Sequence, residues 1–179
     1  MTTAVLVVDV QQGLCEGTAA AHDCAGMIER INRVTDKARA AACPVIFIQH
    51  ESNTGYLEHG SAAWQLATGL QRLAGDHVVR KSTPDSFLRT DLAEVLQRLG
   101  VLQLVVCGMH SEFCVDTTVR RALALGFPVT LVSDGHSSSG NTAITPQQVI
   151  AHHNATLTNI QSFGPRARAV SSAAIAFAA

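Results

Sequence analysis

The sequence has no long apolar run, no cluster of basic charge and little lysine. No hydrophobic stretch approaches the roughly 20 residues that a membrane-spanning helix needs, so we expect no membrane partner. The 13 Lys and Arg residues are balanced by 14 Asp and Glu, and no basic run is longer than Arg120-Arg121. This scatter argues against a nucleic-acid partner and favours a small, roughly neutral molecule as the ligand.

Several catalytic and cofactor motifs are also missing. No G-x-G-x-x-G or Walker sequence occurs, so we expect no nucleotide cofactor and predict no cofactor of another kind. No G-x-S-x-G motif surrounds Ser111, which makes that serine a poor candidate nucleophile. None of the five cysteines is in a C-x-x-C pair, and an odd number cannot all pair within one chain. We therefore expect free thiols and a cytoplasmic protein.

The residues that are present predict one α/β domain over 1–179, with residues 165–179 as a C-terminal tail. Its 47% hydrophobic content and 179 residues suit a single buried core. A long loop, with a short helical piece over 64–70, is expected in residues 50–75. Apolar β-branched runs predict strands at 4–8, 45–48, 77–80, 102–107, 129–132 and near 158–160, and helical spacing predicts helices at 22–42, 91–99, 112–125 and 146–155.

Alternating strands and helices predict a mostly parallel sheet with helices on both faces. Ligands bind at the carboxyl ends of such strands, where the strand order reverses. If the order is 3-2-1-4-5, this switch point lies between the first and fourth strands, which end at Asp9 and at Cys107-Gly108.

Cys114 is the candidate nucleophile because it begins the helix after the fourth strand. Unpaired N–H groups at a helix N-terminus stabilise a thiolate, so we expect a lowered thiol pKa. Asp9 is placed to act as its base, and Lys81 can pair with a carboxylate and a thiolate together. Each of these residues also has a purely structural interpretation. Under it, Cys114 is an inert core cysteine, as we expect for Cys24, Cys43 and Cys107. Asp9 then caps the loop that follows it, and Lys81 is a solvated lysine.

Three separated motifs resemble the isochorismatase-like cysteine hydrolases: residues 7–11 (VVDVQ), Arg80-Lys81 with Ser86-Phe87, and residues 108–118 (GMHSEFCVDTT). The resemblance implies a three-layer α/β/α fold with a six-stranded, mostly parallel sheet in the order 3-2-1-4-5-6. It also implies that Asp9, Lys81 and Cys114 form a catalytic triad. A cis peptide bond at Met109-His110 is implied as well, and the His110 and Cys114 N–H groups would form an oxyanion hole.

The chain departs from metal-binding nicotinamidases of this family, which carry an Asp-x-His pair after the second strand. Here that segment reads Gln49-His50-Glu51, so we predict no metal and expect His50 to line the pocket. Other candidate substrate-binding residues are the apolar Leu14, Trp64, Phe87, Met109 and Phe113 and the polar Gln11 and Glu112.

Three functions remain open. The complete Asp9, Lys81 and Cys114 set favours hydrolysis of a small amide, lactam, ureide or carbamoyl compound through a thioester. Enol-ether hydrolysis of the isochorismatase type needs no nucleophile and is the first alternative. A non-catalytic small-molecule binding protein of the same fold is the second. The resemblance also implies a homo-oligomer, a dimer or larger.

Overall fold

All six strands join one sheet in the computed structural model, which describes residues 2–18 and 20–177. The order is β3-β2-β1-β4-β5-β6, and every neighbouring pair is parallel. The predicted α/β class and the strand order 3-2-1-4-5-6 are confirmed. The strands are β1 (Thr3–Val8), β2 (Val45–His50), β3 (His77–Lys81), β4 (Gln103–Met109), β5 (Val129–Ser137) and β6 (Ala167–Val170).

The central strand β1 is buried along its whole length, as its unbroken apolar sequence predicts. Its last residue, Val8, is in register with Ile48 of β2 and with Gly108 of β4. The carboxyl ends of these three strands therefore meet at one edge of the sheet. Asp9, the residue that follows β1, emerges at the point where the chain order reverses.

Helices cover both faces of the sheet and bury alternate β1 residues. Ala4, Leu6 and Val8 pack into the core below α3, α4 and α5, whereas Val5 and Val7 pack into the core below α2. Across residues 2–18 and 20–177, no helix combines the length and the apolarity needed to cross a lipid bilayer. The helices are α1 (Gln12–Cys15), α2 (Cys24–Ala40), α3 (Leu92–Arg98), α4 (Asp116–Ala124) and α5 (Pro146–Thr158), and a π-helical turn (Ser111–Val115) precedes α4.

Three sequence predictions about the connecting segments are wrong. Residues 64–70 form turns and not a helical piece. Residue 158 still belongs to α5, and the sixth strand is Ala167–Val170, within the segment predicted to be a tail. The residues after β6 are also tied to the fold, because Lys37 donates hydrogen bonds to the carbonyl oxygens of Ser172, Ala173 and Ile175.

Gly108 permits the close approach of β4 to β1 beside the predicted site. Its φ is +117°, and a Cβ there would lie 2.0 Å from the Val8 carbonyl oxygen. We expect Gly108→Ala to lower the free energy of unfolding by about 3 to 5 kcal/mol, because strain and overlap add. Gly126→Ala is the matched control, with positive φ but open space around the Cβ; its expected loss is about 1 to 2 kcal/mol. If both variants lost the same free energy of unfolding in urea, the steric overlap at Gly108 would be contradicted.

Candidate active site

Asp9 follows β1 and turns its carboxylate into the protein. It has a left-handed backbone (φ +53°), a conformation that aspartate tolerates better than most residues, and its N–H donates to the Ile48 carbonyl oxygen. The residue is 1% exposed. A carboxylate buried this deeply requires a cation or several hydrogen-bond donors close by.

Lys81, the last residue of β3, supplies that cation. It is 2% exposed, and its Nζ donates to Asp9 Oδ2 over 2.7 Å. Nζ also donates to the Thr83 carbonyl oxygen over 3.0 Å and lies 3.2 Å from His50 Nδ1. The ammonium has three protons, so these three acceptors satisfy it completely. The Thr83 contact was not predicted, because a backbone carbonyl leaves no signal in the sequence.

Cys114 lies in the π-helical turn that follows β4 and faces this ion pair. Its Sγ, a His50 ring nitrogen and an Asp9 carboxylate oxygen all lie within 4.8 Å of one another. Asp9 Oδ1 is buried and has no hydrogen-bond partner among the described residues. The structure thus brings Asp9, Lys81, His50 and Cys114 together, with one carboxylate oxygen uncommitted beside a thiol.

The ionisation of Cys114 differs from the sequence-based expectation. Burial raises the pKa of the Cys114 thiol to about 12, the Asp9 carboxylate adds to the rise, and the Lys81 ammonium opposes it. The predicted lowering by the helix N-terminus is therefore wrong. Removing the thiol from water and placing it beside a carboxylate both favour its neutral form. At neutral pH the resting group is a protonated thiol, which needs a base to become a nucleophile.

His50 is neutral in this environment. Burial and the neighbouring Lys81 ammonium lower the pKa of His50. Because Lys81 can only donate, its contact with His50 Nδ1 is a hydrogen bond only in the tautomer in which that nitrogen carries no proton. Asp9, His50 and Cys114 are also grouped closely enough to ligate a metal ion. A metal there would have to compete with the ammonium, which already contacts both Asp9 and His50.

The turn that carries Cys114 begins at His110. The peptide bond between Met109 and His110 is cis. The carbonyl oxygen of His110 accepts hydrogen bonds from the N–H groups of Phe113 and Val115, which winds the chain into a π-helical turn. The His110 ring stands edge-on to Phe113, with 6.4 Å between ring centroids, and burial lowers the pKa of His110.

A buried hydrogen-bond chain that the sequence did not reveal fixes the start of this turn. Ser111 Oγ lies 2.7 Å from His136 Nδ1, and His136 Nε2 lies 3.1 Å from Asn154 Oδ1. Asn154 in turn donates to the Ser133 carbonyl oxygen. The chain links the turn to β5 and α5, so it holds Cys114 indirectly against the sheet.

The buried His136 should make stability depend on pH. Burial lowers the pKa of His136 to about 4, from an ordinary value of 6.5. Between these values the unfolded chain takes up a proton that the folded chain resists. The full stability is therefore present above about pH 6.5, and about 3 kcal/mol is lost as the pH falls to about 4.

Urea unfolding at several pH values checks this expectation. In His136→Gln that part of the acid sensitivity should be missing, although the variant will be less stable at neutral pH. Parallel stability curves for the parent and the variant between pH 6.5 and pH 4 would contradict the assignment.

Three of the predicted substrate-binding residues are part of the scaffold. The Gln11 amide bonds to the backbone N–H and carbonyl of His50 and to the Trp64 carbonyl, so it ties two segments together. Phe87 stacks on Phe127 in the core beneath α3 and α4. Met109 is fully buried on the opposite face of the sheet. The side chains of Gln11, Phe87 and Met109 are therefore committed to contacts within the fold.

Four other residues were predicted to bind the substrate, and they lie in different environments. Leu14 is partly buried against the core on the α2 face. Trp64 packs edge-on against His59, and its buried Nε1 has no partner in the part of the chain that the structure describes. Glu112 accepts from Ser138 Oγ through Oε1, whereas its buried Oε2 is unpartnered there too. Phe113, next to Cys114, is 58% exposed.

Known proteins are similar to this chain in sequence and in fold. Residues 3–167 match the isochorismatase domain family. A streptothricin hydrolase of Streptomyces noursei is 36% identical over 136 residues, which cover 75% of this chain and 49% of that protein. The ureidoacrylate amidohydrolase RutB of Methylobacterium radiotolerans is 28% identical over 199 residues, covering 90% of this chain and 74% of RutB.

A solved structure agrees over nearly the whole length. The crystal structure of an isochorismatase from Pseudomonas putida KT2440 has a TM-score of 0.87 and 29% identity, covering 97% of this chain and 89% of that chain. The chain spans about half the length of the curated streptothricin hydrolases that it matches. Since the domain match takes in every strand from β1 to the start of β6, the chain belongs to the isochorismatase family.

Proposed function

We propose that this protein is a cysteine hydrolase that cleaves an amide-type C–N bond in a small molecule through a thioester. One observation carries the proposal: the buried Asp9 carboxylate, bound to Lys81 through Oδ2, has an oxygen within 4.8 Å of the Cys114 sulfur, and its Oδ1 has no partner among the described residues. An uncommitted carboxylate oxygen next to a protonated thiol has the geometry of a base and its nucleophile.

In the first step Asp9 takes the Cys114 proton as sulfur attacks the substrate carbonyl carbon. Because the pKa of the Cys114 thiol is raised, its proton has to leave during the attack, and Asp9 acts as the general base that takes it. Lys81 stays bound to Asp9 Oδ2 throughout. Its positive charge offsets the thiolate character that develops at sulfur.

The tetrahedral oxygen is held by the backbone N–H groups of His110 and Cys114. Asp9 then returns its proton to the leaving nitrogen, the C–N bond breaks, and a thioester to Cys114 remains. Water, deprotonated by Asp9, attacks this thioester and releases a carboxylic acid and the free thiol. The nucleophile, the base and the cation in these steps all come from the chain.

Three polar groups are available to orient the substrate. His50 has a ring nitrogen within 4.8 Å of the Cys114 sulfur, Trp64 Nε1 is a buried donor, and Glu112 Oε2 is a buried acceptor. Buried polar atoms without partners are costly, and a polar ligand would satisfy them. The names of two relatives, streptothricin hydrolase and ureidoacrylate amidohydrolase, support a hydrolytic, amide-directed reaction.

A substrate panel tests the proposal. It should contain small amides, lactams, ureido acids and N-carbamoyl amino acids, together with an enol ether of the isochorismate type. We expect turnover of at least one C–N substrate, with heavy oxygen from labelled water entering the carboxylate released from an amide or lactam, or the carbamate released from a ureido or N-carbamoyl compound. A thioester adduct on Cys114 should be visible by intact mass after rapid acid quenching.

Two results would overturn the proposal. Turnover of the enol ether alone, retained in Cys114→Ala, would indicate chemistry without a nucleophile. Saturable binding of panel compounds without turnover of any would indicate a binding protein.

A further inference from the structure

Two cysteines outside the proposed active site lie against each other. Cys15 is the last residue of α1 and Cys24 is the first residue of α2. The backbone bond from the Ala21 N–H to the Leu14 carbonyl oxygen, 3.0 Å long, ties together the segments that carry them. Both residues are partly exposed and pack against the core on the α2 face, and Cys24 Sγ lies 3.9 Å from the carbonyl oxygen of Leu14, the residue before Cys15. Cys24 was predicted to be an inert core cysteine, and it packs against the core on the α2 face but is only partly buried.

The position of Cys24 favours an ionisable thiol. It is the first residue of a 17-residue helix, and the positive end of a helix dipole favours a thiolate, whereas the neighbouring Asp23 carboxylate opposes one. When protonated, its Sγ can donate to the Ala21 carbonyl oxygen 3.2 Å away. The hydrogen bond from the Cys15 thiol lowers the pKa of Cys24, and the same bond raises the pKa of Cys15.

The remaining cysteines are less suited to react with an oxidant. Cys107 is fully buried, and burial alone raises its pKa far above the ordinary value. Cys43 is also buried, and Cys114 is a protonated thiol next to a carboxylate. Because the thiolate is the form that reacts with peroxides, Cys24 is the sulfur best placed to react first.

We propose that Cys15 and Cys24 form a redox-active dithiol that hydrogen peroxide converts into an intramolecular disulfide. The Cys24 thiolate attacks one peroxide oxygen, the O–O bond breaks, and a sulfenic acid and hydroxide form. The Cys15 thiol then attacks the Cys24 sulfur and displaces the second hydroxyl group as water. In sum, two thiols are oxidised, one peroxide is reduced, and two molecules of water are released.

Peptide-resolved mass spectrometry of the full chain, treated with one equivalent of hydrogen peroxide, tests this. The parent should lose the mass of two hydrogen atoms and yield a non-reduced peptide that joins Cys15 to Cys24, and dithiothreitol should reverse the change. Cys15→Ser should instead accumulate a dimedone-reactive sulfenic acid at Cys24. Cys43→Ser is the matched control and should form the same cross-link as the parent.

The parent chain alone can contradict the proposal, because its oxidation does not depend on whether a variant folds. Oxygen added to Cys114 or Cys43 while Cys15 and Cys24 stay reduced would overturn it. So would oxygen added to Cys24 of the parent without any cross-link to Cys15. Neither result depends on amide hydrolysis, so failure here is distinguishable from failure of the proposed function.

Discussion

Cys114→Ser is expected to reduce kcat/KM for an amide substrate by about a thousandfold or more. A serine hydroxyl is a far weaker acid than a thiol, and Asp9 is a carboxylate base rather than an imidazole, so it cannot activate the hydroxyl at a useful rate. The change removes no packing volume of note, and the fold should persist. The measurement is steady-state hydrolysis of the best C–N substrate from the panel.

Cys43→Ser serves as the matched control, because Cys43 lies before β2, in the core on the α2 face, and takes no part in the proposed reaction. Its activity should stay within about twofold of the parent, provided that the variant remains folded by circular dichroism. A Cys114→Ser enzyme that kept a tenth or more of the parent's activity would show that sulfur is not the nucleophile.

Lys81→Met is expected to lower the free energy of unfolding by about 3 to 5 kcal/mol. The substitution leaves the Asp9 carboxylate buried at 1% exposure without its cation, and it deprives His50 Nδ1 and the Thr83 carbonyl of a donor. Urea denaturation at neutral pH measures the loss.

The double variant Asp9→Asn with Lys81→Met separates the ion pair from the packing around it, because asparagine matches aspartate in size and tolerates the left-handed backbone at this position. Replacing both charges with neutral groups of similar size removes the uncompensated charge, so we expect the double variant to be more stable than Lys81→Met alone. If the double variant lost as much free energy of unfolding as the two single variants lose together, the two side chains would stabilise the fold independently. The 2.7 Å contact between them argues for strong coupling.

The alternation of strands and helices was sufficient to predict a parallel sheet, whereas the strand order 3-2-1-4-5-6 was implied by the family resemblance. Asp9, Lys81 and Cys114 each follow or end a strand, or begin the helix after one, and parallel topology brings such positions to one edge. The sixth strand was misplaced because Ala167–Val170 is a short edge strand, with two exposed residues and an arginine in its middle. An apolar-run criterion detects buried strands and overlooks edge strands of this kind.

The directions of the side chains and the electrostatics of the site could not be predicted from the sequence. Phe87 and Met109 are neighbours of the site along the chain but point into the two cores on opposite faces of the sheet. The pKa of Cys114 rises because burial and Asp9 outweigh Lys81, a balance that depends on distances in space. The Ser111–His136–Asn154 chain likewise joins residues from three separate elements that no local motif connects.

The alkylation rate of Cys114 against pH, in the parent and in Asp9→Asn, tests most directly whether Asp9 acts as the base of a protonated thiol. Each cysteine must be resolved by peptide mass spectrometry, because iodoacetamide should label Cys24 first and Cys24 then serves as an internal control. The exposed Asp36→Asn is the charge-matched variant.

In the parent we expect slow labelling of Cys114 that rises with pH toward an apparent pKa of about 12. In Asp9→Asn the carboxylate that raises this pKa is gone, so labelling at neutral pH should become about tenfold faster or more, while amide hydrolysis is lost. Slower or unchanged labelling of Cys114 in Asp9→Asn, with hydrolysis intact, would contradict the account.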